Sequence, residues 1–220
     1  MSTHNATPDP TDRALLFDYG GVLTTPVIDS FRSWERRNGL EEGRFISLVR
    51  GAYTETDGGP VGRIERGEIS TEQFEDELAA LLVEHDLRVP GGVDIEEMLS
   101  EVEPVEDMWE VARTAADAGA TVGLLSNSWG MVAYPRERLD QYFAVQVISA
   151  EVGLRKPDPA IFDLAARNVG LPPQQCAFVD DLDENVAVAQ QLGMLGIVHE
   201  GDAAATRARL VDFLGLPSAP

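Results

Sequence analysis

The segment Leu15-Leu16-Phe17-Asp18-Tyr19-Gly20-Gly21-Val22-Leu23-Thr24 contains the strongest structural signal in this chain. An apolar run ends at the carboxylate of Asp18, and two glycines follow before a second apolar pair. This pattern predicts a buried strand that ends at a sheet edge, where a tight turn exposes Asp18. Open α/β sheets bind ligands at the carboxyl ends of their strands, so Asp18 is a candidate site residue. The alternative is a strand-ending aspartate before an ordinary glycine turn.

The composition indicates a globular protein with a large acidic excess. The chain has 220 residues, of which 44% are hydrophobic, and its 17 basic and 38 acidic residues give a formal net charge of −21. Nucleic acids and anionic membranes need a basic face, so we expect neither as a partner, and a solubilising acidic surface is the simpler interpretation. The same field repels phosphorylated ligands, so a phosphate site would need a local positive charge or a metal.

Cysteine and histidine usage narrows the chemistry further. The single cysteine, Cys176, excludes an internal disulfide and predicts a cytoplasmic protein with a buried, unreactive thiol. The three histidines are too scattered to predict a zinc site or a catalytic triad. No apolar run approaches the roughly 20 residues that span a bilayer. The polar residues 1–12 lack the apolar centre of a signal peptide and predict a flexible tail.

Short apolar runs alternate with helical patterns from residue 121 onward. With the first strand they predict an α/β fold, a doubly wound, mostly parallel, five-stranded Rossmann-like sheet. The predicted strands cover residues 14–17, 122–125, 145–148, 177–179 and 195–198. Helices are predicted over residues 104–118, after an Asp158 cap, over residues 186–192, and from an Asp202 cap to residue 213.

The segment between residues 26 and 103 lacks strand patterns. Helices are predicted over residues 31–37, 45–53 and 94–99 and after a capping box at Ser70, with turns or hinges at residues 58–60 and 90–92. We therefore predict a flexible tail over residues 1–12, an α/β core domain over residues 13–25 and 104–220, and an inserted all-helical cap domain over residues 26–103. Such a cap can shut a site from water, and a packing decoration is the alternative.

Two further polar clusters follow predicted strands and suit an anionic group. Ser126 and Asn127 offer a hydroxyl, an amide and free backbone N–H groups, which suit phosphate oxygens, although this pair is also ordinary in turns. Lys156 precedes a predicted helix, where its charge would neutralise a phosphate or a carboxylate nucleophile. An isolated lysine is more often a solvated surface residue.

A pair of aspartates follows the fourth predicted strand. Asp180 and Asp181 are adjacent, with Asn185 close behind. Neighbouring carboxylates at a buried strand end repel each other unless a cation or protons relieve them. Together with Asp18 they predict an oxygen-rich site suited to Mg²⁺.

In this order the four clusters resemble the motifs of the haloacid dehalogenase-like hydrolase superfamily, from about residue 14 to residue 198. The motifs are, in turn, Asp18-Tyr19-Gly20-Gly21-Val22-Leu23, Ser126-Asn127, Lys156-Pro157, and Asp180-Asp181 with Asn185. Glu65-Arg66-Gly67-Glu68-Ile69-Ser70 and the residues around Lys156 resemble the phosphatase-type branch, whose helical cap lies between the first two motifs.

The resemblance implies a Mg²⁺-dependent phosphatase that acts on a small phosphorylated metabolite. Asp18 would be the nucleophile and would form an aspartyl-phosphate, with Lys156 supplying positive charge to both partners. Ser126 and the backbone at Asn127 would bind phosphate oxygens. The ligands of Mg²⁺ would be Asp18, the backbone carbonyl of Gly20 and Asp181, with Asp180 close by.

Position 20 departs from the family pattern. Most phosphatases of this family carry a second aspartate there, which protonates the leaving oxygen and then activates water, and its loss costs about 10²- to 10⁴-fold in rate. Three explanations stay open: a substrate with a good leaving group, such as a sugar 1-phosphate or an acyl phosphate; a replacement acid, for instance from the cap; or a phospholigand-binding or protein-interaction module with little turnover.

Dehalogenation of 2-haloacids is the less favoured chemistry of the superfamily. Tyr19 lies one position too early for the dehalogenase motif, and Asp180-Asp181 keep a metal site that dehalogenation does not need.

Substrate selection is expected in the cap and in the loop after Asn127. The candidates are Trp129, Tyr134 and Tyr53 at the entrance, and Arg63 and Arg66 for an anionic group. Core aromatics and solvated arginines are the alternatives.

Overall fold

A computed structural model describes residues 9–53, 58–130 and 134–217, with Ala52 and Tyr53 described by their backbone alone. Its centre is a sheet of five parallel strands, β1 (Ala14–Phe17), β2 (Thr121–Ser126), β3 (Val145–Ile148), β4 (Cys176–Asp180) and β5 (Leu195–Val198). Their order in the sheet is β3-β2-β1-β4-β5. The predicted α/β fold class is confirmed.

The middle strand, β1, is buried on both faces. Ala14 pairs with Thr121 on one side and with Cys176 on the other. Leu15 and Phe17 pack into the apolar cluster on one face of the sheet, and their neighbours along the strand pack into the cluster on the other face. A strand covered on both faces needs apolar residues at every position, which explains the continuous apolar run.

Five helices between β1 and β2 form a layer with its own apolar core. They are α1 (Val27–Arg37), α2 (Arg44–Tyr53), α3 (Gly59–Glu65), α4 (Thr71–Glu84) and α5 (Ile95–Met98). Their buried side chains form one cluster, which includes Phe31, Trp34, Phe45, Phe74 and Leu78. The predicted capping box is present, because Ser70 Oγ accepts from the Gln73 N–H at 3.2 Å and Gln73 Oε1 accepts from the Ser70 N–H at 3.0 Å.

Two neighbouring chain segments join this helical layer to the sheet. Thr24 and Pro104 form an isolated antiparallel bridge, and the Thr25 N–H donates to the Glu103 carbonyl at 2.8 Å. The junction lies beside the predicted boundaries at residues 25 and 104. The division into a core domain and a cap domain stays a prediction.

Six further helices follow: α6 (Glu106–Asp117), α7 (Arg136–Tyr142), α8 (Ser149–Val152), α9 (Pro159–Val169), α10 (Asp183–Gln191) and α11 (Ala203–Leu214). Helices α6, α7 and α11 bury side chains against one face of the sheet, and α9 and α10 against the other. The predicted caps are present, since Asp158 accepts from the Ala160 N–H at 2.9 Å and Asp202 from the Ala204 N–H at 2.9 Å.

The prediction of a turn or hinge over residues 58–60 is wrong for most of that segment. Gly58 has the left-handed φ of 76°, but α3 already begins at Gly59. Pro60 lies in the first turn of α3, where its missing N–H has no helical partner to lose. Elsewhere, the thiol of Cys176 is buried at the start of β4, and burial raises its pKa to about 11. Within the described ranges, no helix combines the length and the apolar character needed to cross a membrane.

Candidate active site

Asp18 follows β1 directly and lies at the carboxyl edge of the sheet. Its backbone N–H donates to the Val179 carbonyl at 2.9 Å, which extends the pairing with β4 by one residue. Its Oδ1 accepts from the Tyr19 N–H at 2.7 Å. Gly21 has a φ of 74°, and a Cβ atom there would lie 2.3 Å from Asp181 Oδ2. The turn after Asp18 therefore requires glycine at position 21 for its backbone conformation and for the close approach of Asp181.

Gly20 is constrained for a different reason. Its φ of −70° and ψ of 127° are open to any residue. A Cβ atom at position 20, however, would lie 3.0 Å from Val27 Cγ2. Val27 is the first residue of α1, so the helical layer packs a methyl group against the position where most phosphatases of the resembled family carry the second aspartate.

Lys156 is buried between two carboxylates. Its side chain is 1% exposed, and Nζ lies 2.8 Å from Asp18 Oδ1 and 2.6 Å from Asp180 Oδ2. Burial alone would lower the pKa of Lys156, but the charges of Asp18 and Asp180 outweigh it and raise the pKa above its ordinary value. The solvated surface lysine is thus excluded, and the ammonium group stays charged beside Asp18.

The three aspartates form one acidic cluster. One carboxylate oxygen from each of Asp18, Asp180 and Asp181 lies within 4.8 Å of the others. Asp180 is fixed by donors, because it accepts from Asn185 Nδ2 at 3.0 Å and from the Leu182 N–H at 2.8 Å. Burial, with the neighbouring carboxylates, raises the pKa of Asp18 and of Asp181 above their ordinary values, and the charge of Lys156 opposes this shift in both. An all-oxygen set of this kind fits Mg²⁺, because Mg²⁺ prefers carboxylate and carbonyl ligands.

The loop after β2 bonds to the loop that carries Lys156. Asn127 Oδ1 accepts from the Lys156 N–H at 2.8 Å, and Asn127 Nδ2 donates to the Lys156 carbonyl at 3.0 Å. The Asn127 amide therefore fixes the backbone of Lys156. Ser126 is buried at the end of β2, and its Oγ lies 3.0 Å from the Tyr134 hydroxyl.

Tyr134 was predicted to line the entrance, and in the structure it contacts Tyr19 and Ser126, which lie at the carboxyl edge of the sheet. Its ring packs on the ring of Tyr19, with 4.8 Å between the centroids, and its hydroxyl contacts Ser126. Burial raises the pKa of Tyr134 to about 12, and the charge of Asp18 adds to that shift. The phenol is therefore protonated at neutral pH and near enough to Asp18 to be influenced by its charge.

Glu65 is a buried carboxylate that the sequence analysis did not single out. It ends α3, accepts from Trp129 Nε1 at 3.1 Å and pairs with Arg155 at 2.9 Å. Asn127 Nδ2 lies 3.4 Å from its Oε2. Glu65 thus connects the helical layer to the loops that carry Asn127 and Lys156. The available signal was its spacing, since Glu65 lies four residues after buried Val61, on the inner face of its helix.

Three of the predicted substrate residues have contacts with side chains of the segment between β1 and β2. Trp129 packs between the rings of Phe31 and Phe74, at 5.1 and 5.5 Å, within the apolar core of the helical layer. Arg63 pairs with Glu77, and Arg66 pairs with Glu68. The side chain of Tyr53 lies outside the described residues. The substrate roles of these four residues stay predictions.

Comparison with known proteins gives one family. A family model for haloacid dehalogenase-like hydrolases matches residues 13–193. Acyl-CoA dehydrogenase family member 10 of Mus musculus is 32% identical over 93% of this chain, and bifunctional epoxide hydrolase 2 of Sus scrofa is 28% identical over 94% of it. The chain spans 19% and 40% of the lengths of these two proteins.

One relative and one solved structure match over nearly their whole length. Sesquiterpene phosphatase astK of Aspergillus oryzae is 27% identical, over 93% of this chain and 98% of that protein. A haloacid dehalogenase family enzyme of Bacteroides thetaiotaomicron, solved with magnesium and inorganic phosphate, has a TM-score of 0.58 at 23% identity and covers 86% of this chain and 96% of its own. This last likeness shows a shared fold.

Proposed function

This chain belongs to the haloacid dehalogenase-like hydrolase family, and we propose that it is a Mg²⁺-dependent phosphatase that acts on a small phosphorylated metabolite. One observation carries the proposal: the buried Lys156 ammonium joins Asp18 to Asp180, beside a third carboxylate, at the carboxyl edge of the sheet. A phosphoryl group needs both a nucleophile and positive charge, and Lys156 supplies positive charge directly beside Asp18. The phosphatase relatives support the same chemistry.

Asp18 is the proposed nucleophile. Its Oδ1 is held by the Tyr19 N–H and by Lys156 Nζ, which orient the carboxylate at the strand end. Its other oxygen attacks phosphorus, and the ester oxygen leaves, which gives an aspartyl-phosphate that water then hydrolyses. Lys156 Nζ lies 2.8 Å from Asp18 Oδ1, so its positive charge offsets part of the repulsion between the carboxylate and the incoming phosphate.

Ser126 and the backbone at Asn127 are the proposed ligands of the phosphate oxygens. Both follow β2, the neighbour of β1, so their polar groups lie at the same sheet edge as Asp18. The Asn127 side chain is committed to the Lys156 backbone, which leaves Asn127 to act through its main chain.

Asp18, the Gly20 carbonyl and Asp181, with Asp180 close by, are the residues that would hold Mg²⁺. When bound, the ion would neutralise charge that develops on the transferring phosphoryl group.

The test is hydrolysis of a panel of phosphate monoesters with Mg²⁺, with wild type compared to Asp18→Asn. We expect Asp18→Asn to lose about 10³-fold or more of the turnover, because the amide is no nucleophile. Asp29→Asn, on the exposed side of α1, is the matched control and should keep wild-type rates. Turnover that survives Asp18→Asn would refute the mechanism.

A second function on the same fold is a phospholigand-binding or protein-interaction module with little turnover. Gly20 favours it, because glycine has no proton to give where the usual acid stands, and a Cβ atom there would lie 3.0 Å from Val27 Cγ2. Thermal stabilisation by phosphate with Mg²⁺, without turnover of even activated esters, would support this second function.

A further inference from the structure

The packing around Gly20 raises the question of which group protonates the leaving oxygen. Val27 Cγ2 occupies the space next to position 20, and the helical layer holds Val27 there as the first residue of α1. Gly20 has no side chain that could give a proton, so the donor must be another residue. We propose that the Tyr134 hydroxyl gives its proton to the leaving oxygen of the substrate, an inference that rests on the proposed phosphatase function.

The position of Tyr134 supports this role. Its hydroxyl lies 3.0 Å from Ser126 Oγ, which is a proposed ligand of the phosphoryl group. Its ring packs on Tyr19, the residue that follows the nucleophile, with 4.8 Å between centroids. Tyr134 is therefore adjacent both to the phosphate-binding hydroxyl and to the turn that presents Asp18.

Lys156 and the Asn127 amide are poorer proton donors than Tyr134. Lys156 lies between Asp18 and Asp180, whose charges hold its proton. The Asn127 amide is bonded to the Lys156 backbone, and an amide does not release a proton near neutral pH. The Tyr134 phenol keeps its proton at neutral pH, with its pKa raised to about 12 by burial. An alkoxide is a stronger base than a phenolate, so transfer to a departing alkoxide is downhill.

The proton and electron balance closes over the two steps. As the bond from phosphorus to the ester oxygen breaks, its electron pair goes to that oxygen, which takes the Tyr134 proton and leaves as an alcohol. Water then attacks the phosphorus of the aspartyl-phosphate and gives a proton to the Tyr134 phenolate. The Asp18 carboxylate departs from phosphorus, so ester and water become alcohol and phosphate, and the protein is restored.

The test uses two esters that differ in their need for a proton. Wild type and Tyr134→Phe are assayed with Mg²⁺ on p-nitrophenyl phosphate, whose leaving group departs as a stable anion, and on a simple alkyl phosphate. We expect Tyr134→Phe to lose about 10²- to 10⁴-fold on the alkyl ester and less than about 3-fold on the nitrophenyl ester. Phenylalanine keeps the ring contact with Tyr19. Tyr142→Phe removes a hydroxyl from α7, away from Ser126, and should leave the ratio of the two rates unchanged.

A structural role for Tyr134 would slow both esters equally, so an equal loss overturns the assignment, and so does no loss on either ester. Wild type that hydrolyses only the nitrophenyl ester would also overturn it, since the site would then lack a donor. The proposed function is tested separately by Asp18→Asn on the nitrophenyl ester. If that variant keeps full turnover, the nucleophile is wrong and the Tyr134 assignment fails with it.

Discussion

The carboxyl edge of the sheet and the helical layer α1–α5 meet at the site, and they contribute different side chains. Charged groups come from the sheet edge, and the contact with Gly20 comes from an apolar residue of the helical layer. The sheet edge contributes charged side chains: buried Lys156 forms ion pairs with both Asp18 and Asp180. The helical layer contributes Val27, an apolar side chain against Gly20, and Glu65, whose carboxylate is already bound by Arg155. The charged groups therefore lie at the sheet edge, whereas the helical layer packs a methyl group against Gly20, two residues after Asp18.

The largest effect is expected when the cation of the sheet edge is removed. Lys156→Met leaves Asp18 and Asp180 buried without their shared partner, so we expect a loss of about 3–5 kcal/mol in the free energy of unfolding. Turnover should be lost as well. Urea unfolding of wild type and variant measures the first effect. Adding Asp180→Asn, which removes one of the two stranded charges, should recover part of the stability. A loss below about 1 kcal/mol would contradict the view that Lys156 is needed to stabilise the buried charges of Asp18 and Asp180.

A smaller effect is expected when Glu65, which connects the helical layer to the loops at the sheet edge, loses its carboxylate. Glu65→Ala removes one acceptor from the part-buried donors of Trp129 and Arg155, which should cost about 2 kcal/mol. Glu65→Gln keeps an acceptor for Trp129 and should cost less. Thermal unfolding compares the two variants. Because Asn127 contacts Glu65 and also fixes the Lys156 backbone, we expect kcat to fall in Glu65→Ala. Equal stabilities of Glu65→Ala and Glu65→Gln would indicate that the hydrogen bond from Trp129 to Glu65 does not stabilise the fold.

The contact between Val27 and Gly20 tests how strictly the helical layer limits the site. Gly20→Asp alone places a Cβ atom 3.0 Å from Val27 Cγ2 and should cost about 1–2 kcal/mol through overpacking. Val27→Ala in the same chain should relieve most of that cost. In a Tyr134→Phe background, Gly20→Asp together with Val27→Ala should recover part of the lost hydrolysis of alkyl phosphates, because a carboxyl group is restored beside Asp18. If the effects of Gly20→Asp and Val27→Ala on the free energy of unfolding simply add in the double variant, Val27 makes room for the aspartate at no measurable cost.

The smallest effect is expected within the helical layer, far from the sheet edge. Arg63 and Glu77 pair there with side chains that are 37% and 34% exposed. Glu77→Ala should cost less than about 1 kcal/mol and leave turnover unchanged, because water screens the pair. The same unfolding and kinetic assays apply, which makes Glu77→Ala the matched control for Glu65→Ala. If Glu77→Ala lowered the free energy of unfolding as much as Glu65→Ala does, the exposed and the buried carboxylate would contribute equally to stability.

The sheet was predictable because its strands are marked locally. The strands β1, β3 and β5 have the predicted bounds, and β2 and β4 extend beyond theirs because pairing continues into Ser126 and Asp180. The short helices α3, α7 and α8 were not predicted, whereas the equally short α5 was: α5 begins after the N-cap side chain of Asp94, and the other three have no capping side chain. The family and the fold are confirmed.

The site was predictable where the sheet positions it and not where the helical layer packs on it. Parallel strands bring their carboxyl ends to one edge, so the grouping of Asp18, Lys156 and Asp180 followed from their places in the sequence. The contacts of Val27 and Glu65 depend on how one layer packs against another, which no local pattern encodes. The catalytic and binding roles of the site residues stay predictions.

The central place of β1 has a consequence for the synthesis of this protein. Ala14 pairs with Thr121 and with Cys176, so both neighbours of β1 follow it by more than a hundred residues. At about 5–20 residues per second, a ribosome delivers β2 roughly 5–20 seconds after β1. During that time four apolar residues that are fully buried in the native protein have no strand to pair with. The nascent chain therefore exposes an unpaired apolar strand until its second strand emerges, and Asp18 reaches Lys156 only after more than a hundred further residues have been made.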